Sequence, residues 1–129
     1  MTQKAYQAYN QNHTAIQTPE KLIEMLYEGI LKFASLAKRA INENNIEEKA
    51  KYINKTIDIF IELIDSLRDN GGTIVAYLSG LYQHQITLLT TANINNSTKE
   101  LDTVLHVAST LLEAWKEEVY SESKEPAMA

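Results

Sequence analysis

The residues able to do chemistry are few and scattered. Three histidines are present: His13, His84 and His106. A carboxylate-bridged di-iron centre inside a helical bundle needs Glu-x-x-His pairs on two helices, and the chain contains no such pair. Asp102 and His106 stand four residues apart and could meet on one helix face. Two side chains do not make a metal site, so the spacing reads as a surface pair. His84 lies between Leu81 and Leu88 in helical spacing and reads as a half-buried histidine with its ring nitrogens satisfied. Ser35, Ser66, Ser79 and Ser109 lack the adjacent histidine or strained elbow that would activate a hydroxyl. Gly71-Gly72 is followed by no Lys-Ser or Lys-Thr pair, so there is no phosphate loop. The absence of cysteine excludes disulfides, thiolate nucleophiles and Cys-ligated zinc. The expectation is a protein that is not an enzyme and that uses neither cofactor nor metal.

At 129 residues the chain is one domain, large enough to bury a core unaided. Its formal net charge of −5 argues against a nucleic-acid binder, which needs a basic face for phosphates. Lys32, Lys38 and Arg39 read as the solvated side of the first helix. Residues 1–17 are polar, with Lys4 as their one positive charge, which does not fit a secretory signal. No apolar run is long enough to span a bilayer, so membrane insertion is not expected. With no cysteines, the composition fits a reducing compartment.

The periodicity predicts an all-α chain of four amphipathic helices. The first runs from about Pro19 to Ile41, with Leu22, Leu26, Ile30, Phe33, Ala37 and Ala40 as its stripe. Thr18 caps it, and Pro19 fits the first helical position, where no N–H is needed. Gly29 removes a side chain where another backbone could approach. The second helix starts after Asn45 and carries Ile46, Ala50, Ile53, Ile57, Phe60, Ile64 and Leu67; Gly71-Gly72 is expected to end it in a left-handed turn. The third spans about Thr73 to Asn93 along Ile74, Leu78, Leu81, Leu88 and Ala92. Ser97-Thr98-Lys99-Glu100 reads as a capping box for the fourth, which points Leu101, Val104, Leu105, Ala108, Leu111, Leu112 and Trp115 inward and frays near Glu118. Short connections make sequential helices antiparallel, giving an up-down four-helix bundle over residues 18–118. Residues 1–17 form a flexible N-terminal arm bearing Tyr6 and Tyr9, and residues 119–129 a disordered tail.

Apolar residues remain after these stripes are assigned, among them Tyr52, Val75 and Tyr77 as well as Ile59, Leu63, Tyr82, Ile86 and Leu89. A bundle helix needs only about three apolar positions in seven. The last five are the candidates for a groove that accepts a partner helix, which the aromatic arm could cover when the partner is absent.

Four blocks in register resemble one family. Gln7-Ala8-Tyr9, Thr18-Pro19 with Leu22-Ile23-Glu24-Met25-Leu26-Tyr27-Glu28-Gly29, Leu81-Tyr82 with Ala92-Asn93, and Ala114-Trp115-Lys116 are similar to the motifs of the FliS flagellar secretion chaperones. The resemblance implies a cytoplasmic chaperone that binds the disordered C-terminal segment of flagellin, which becomes helical on the bundle. It also implies that polymerisation is prevented and that the cargo is delivered to the flagellar type III export apparatus. Tyr9, with Tyr6 as the neighbouring alternative, would dock on the export-gate protein FlhA. The resemblance also leaves room for a co-chaperone or regulator as a further partner. The reading from another class is a helical adaptor or self-associating scaffold without flagellin specificity.

Overall fold

A computed structural model describes residues 18–67 and 72–124. Within them the chain forms α1 (Pro19–Asn42), α2 (Ile46–Ser66), α3 (Thr73–Asn95) and α4 (Lys99–Lys124). α1 packs against α2 and α4, and α3 against the same two, so consecutive helices are neighbours round a ring. This is the antiparallel up-down bundle that the short links dictate.

Side-chain caps set the helix starts. The Thr18 hydroxyl accepts from the Lys21 N–H at 3.1 Å, and the Asn45 side chain accepts from the Glu48 N–H at 3.1 Å. Two asparagines do the work that glycine does at most helix ends. Asn44 and Asn96 take left-handed backbones, φ 58° and 54°. The N–H groups following them return to Ala40 and Ala92, which satisfies carbonyls that the helix leaves open. Lys49, buried, donates to the Asn93 carbonyl at 3.0 Å and to the Asn96 amide oxygen at 3.2 Å. One ammonium thus ties the start of α2 to the end of α3, where the helix dipole favours a cation.

The core runs through Ile30, Ala34 and Ala37 of α1, Ile53 and Phe60 of α2, Leu89 and Ala92 of α3, and Leu101, Val104 and Ala108 of α4. The alanines keep the helix axes close where they meet. On the outer seam of α1 and α2, Phe33 and Tyr52 stack at 6.1 Å between ring centres. The ammonium groups of Lys32 and Lys55 lie over Phe33 and that of Lys51 over Tyr52. Their methylene stems shield half-buried aromatic surface while the charges stay in water.

Four local expectations need correction. The second helix stops at Ser66 because Leu67 is extended, and Gly72 is extended too (φ −80°, ψ 145°), serving as the N-cap of α3. The fourth helix continues to Lys124 instead of fraying near Glu118. It is held there by Tyr120, whose hydroxyl donates to Glu24 of α1 at 3.3 Å. Ser97 accepts from the Lys99 N–H at 3.3 Å, one residue earlier than a reciprocal capping box requires. Hydrogen bonding from Ser97 still holds the Glu100 carboxyl below the usual range. His84 is exposed, not half-buried.

Gly80 sits exposed within α3, and a Cβ there would meet nothing within 4 Å. Gly80→Ala should therefore stabilise the bundle by about 0.5–1 kcal/mol through the lower backbone entropy of the unfolded chain. A higher urea midpoint at unchanged slope would show it.

Candidate functional site

Each helix of an up-down bundle brings one terminus to each end. The start of α1, the end of α2, the start of α3 and the last turns of α4 therefore converge, and between them lies an apolar cleft of about 340 Å³. Ile23 and Tyr27 line it from α1, and Leu63, Ser66 and Leu67 from the end of α2. Leu78 and Tyr82 line it from α3, and Leu111, Ala114, Trp115 and Glu118 from α4. A depression of about 410 Å³ on the outside of α4 is lined by Glu113, Lys116, Glu117, Tyr120 and Ser121 alone. A single charged helix face cannot enclose an apolar group, so the four-helix cleft is the candidate site.

The walls of the cleft are fixed by polar ties. The Trp115 indole N–H donates to the Glu20 carbonyl at 2.9 Å, holding the ring across the gap between α4 and α1. Glu24 accepts from Lys21 at 3.0 Å and from Tyr120, a second α1–α4 tie beside the first. That hydrogen bond to Glu24 raises the Lys21 pKa. At the floor, the hydroxyls of Tyr27 and Tyr82 meet at 2.7 Å across α1 and α3. The Phe60 ring backs Tyr82, with ring centres 6.0 Å apart.

Burial pushes both phenols above the ordinary tyrosine value of 10, and the adjacent Tyr27 adds to the rise at Tyr82. A raised folded-state pKa means that the folded protein holds these protons more tightly than the unfolded chain does. Their stabilising contribution is complete below pH 10 and falls as the pH climbs above it. Phenolate absorbance at 295 nm from these two residues should appear together with loss of helicity during alkaline titration. Tyr27→Phe/Tyr82→Phe should remove that coupled phase.

The groove candidates fall differently from expectation. Ile59, Leu63, Tyr82 and Leu89 are core residues, 4, 1, 2 and 0 % exposed, and Ile86 is a half-buried residue packed on them. They do not form an open surface groove. Both α2 and α3 carry two apolar lines, and the buried one is the line interrupted by polar residues: Lys49, Ile53, Thr56, Phe60 and Leu63 on α2, and Tyr82, Gln85, Leu89 and Ala92 on α3. The uninterrupted lines lie towards the seams and the surface, where Ile46 and Ile74 are 70 and 64 % exposed. Of the five candidates, Leu63 and Tyr82 touch the cleft from within. Ile23, Leu78, Leu111, Ala114 and Trp115 are among the other lining residues, and periodicity cannot single them out because they continue the same helices as the core. Tyr6, Tyr9 and His13 lie outside the described residues.

Among the described residues, the four most exposed large apolar side chains fall at the two ends. Ile74 and Tyr77, in the first turns of α3, stand at the cleft end, each 64 % exposed. Ile46 and Ile94 stand at the opposite end. Asp102 pairs with Lys38 at 2.7 Å, not with His106. Among the described residues no three potential metal ligands gather, and no helix is long and apolar enough to cross a membrane.

Known proteins are similar to this chain in sequence and in architecture. The profile of the family described as "Flagellar protein FliS" matches residues 1–123. The flagellar secretion chaperone FliS of Campylobacter jejuni is 49 % identical over 114 residues, covering 88 % of this chain and 89 % of that one. The flagellar secretion chaperone FliS of Bacillus subtilis is 36 % identical over 123 residues, covering 95 % and 92 %. A crystal structure of a bacterial flagellar chaperone superposes with a TM-score of 0.75 at 20 % identity, covering 94 % of this chain and 99 % of that one. At that identity the structural likeness speaks to the fold.

Proposed function

This chain belongs to the FliS family of flagellar proteins, and from that premise we propose that it is an export chaperone for flagellin. In this reading it binds the C-terminal segment of flagellin, which is disordered before binding and helical once bound. Binding prevents premature polymerisation in the cytoplasm and keeps the subunit ready for the flagellar export apparatus. Docking of the loaded chaperone on FlhA through Tyr9 or Tyr6 belongs to the same proposal.

The observation that carries the reading is the apolar cleft through which all four helices open at one end, continued by exposed Ile74 and Tyr77. Ordering roughly 30 flexible residues costs on the order of 30–60 kcal/mol of backbone entropy. Offsetting that at about 25 cal/mol per Å² takes apolar burial of order 1,000–2,500 Å², less what the cargo's own hydrogen bonds supply. A cleft of about 340 Å³ takes a few side chains of such a segment, so it serves as the anchor of a longer contact. The rest of the segment lies over neighbouring helix faces.

The test is seeded polymerisation of purified flagellin followed by light scattering. One equivalent of this protein should suppress growth of the signal, and flagellin lacking its C-terminal segment should not form a complex with it on gel filtration. Unhindered polymerisation at several equivalents, together with self-association of the protein alone, would favour the scaffold reading.

A further inference from the structure

Two phenols that hydrogen-bond to each other use one of their two protons; the other proton still needs an acceptor. Tyr27 and Tyr82 are joined at 2.7 Å, both line the cleft, and neither has another hydrogen-bond partner among the described residues. Leu63, Leu78 and Leu111 surround them with apolar wall. Ser66, the nearby hydroxyl at the cleft, donates to the Leu63 carbonyl at 2.7 Å. The floor therefore presents one unspent O–H donor between apolar walls, with Glu118 the one charged residue of the lining.

We propose that the Tyr27–Tyr82 pair is the specificity-determining anchor of the cleft, donating its unspent proton to a neutral side-chain oxygen of the bound segment. This rests on the chaperone reading above and narrows its ligand: an apolar helix carrying one Asn, Gln, Ser or Thr among the side chains that enter the cleft. Backbone carbonyls inside a bound helix are already taken by N–H groups four residues on, which leaves a side chain as the acceptor. A carboxylate is disfavoured because it would give up its hydration for a single donor. A phenol is protonated at neutral pH even at its ordinary pKa of 10, and burial raises both further, so the donor is always present. An all-leucine segment would bury the O–H without a partner, which is how the pair rejects segments that are merely apolar.

The experiment is calorimetric titration with a synthetic peptide of the flagellin C-terminal segment, using wild type, Tyr27→Phe, Tyr82→Phe and the double variant. The double variant should bind about 5–30-fold more weakly, with one single variant carrying most of the loss because only one phenol directs its proton outward. Its melting temperature should stay near that of wild type, since both partners of the internal bond are removed together. Peptides with each Asn, Gln, Ser or Thr changed in turn to Ala should reveal one position whose loss in wild type disappears in the double variant. Wild-type affinity in the double variant, or a lower melting temperature with unchanged affinity, would show that the pair is structural and overturn the proposal. If the wild-type protein binds no peptide, the chaperone reading falls and the proposal with it.

Discussion

Phe60→Ala should lower the stability of the bundle by about 3–5 kcal/mol. The ring is fully buried in the middle of α2, against Tyr82 of α3 and within the cluster that all four helices share. Alanine removes its apolar area from the core and leaves a void, because helices pinned by caps and by the Lys49 and Trp115 ties close only partly over it. A domain of this size has about 5–15 kcal/mol in total, so the variant should sit near the edge of folding at 37 °C. Urea unfolding followed by circular dichroism would measure the loss. A change below about 1 kcal/mol would mean that the core is not packed as described.

Ala114→Arg should reduce binding of the flagellin segment by about 30–100-fold, or about 2–3 kcal/mol, while leaving the fold intact. Ala114 is exposed on α4 and lines the cleft beside Trp115. Arginine is nearly as good a helix former as alanine and can extend into water in the free protein. Once an apolar segment enters, the guanidinium must lose hydration that an exposed Glu118 one turn on replaces only in part, or the segment must leave the site. Affinity would be read by titration and stability by thermal melting. Affinity within threefold of wild type would place the cargo elsewhere on the bundle.

These expectations depend on details that the sequence displays unevenly. The number, order and starting points of the helices are legible because capping is local chemistry: Thr18 before Pro19 and Asn45 three residues before Glu48 act as their residue types dictate. Helix ends are less legible. A glycine pair is the strongest stop signal in the chain, yet α2 ends before it at Ser66, and among the described non-glycine residues the left-handed turns fall on Asn44 and Asn96.

The buried faces of α2 and α3 are misread for one physical reason. Lys49, Thr56 and Gln85 occupy core positions, so the true core lines look polar and the seam lines look clean. Lys49 is tolerated because it caps the end of α3, and Thr56 because its hydroxyl returns to the Tyr52 carbonyl at 2.8 Å. Neither partnership is visible to periodicity. The candidate site suffers in the same way. Tyr27 and Tyr82 are 55 residues apart in the chain, and nothing in their spacing indicates that their hydroxyls meet. A cleft at the end of a bundle is a property of where four stripes stop together, which no single stripe reveals.

The measurement that bears most directly on the chaperone reading is calorimetric titration of the full chain with the C-terminal segment of its cognate flagellin at several temperatures, with circular dichroism alongside. Saturable 1:1 binding, a negative heat-capacity change and a gain in helicity are the predicted result, because an apolar cleft that folds its ligand must show all three. Absence of binding by a fully folded protein, or binding with no heat-capacity change, would contradict it.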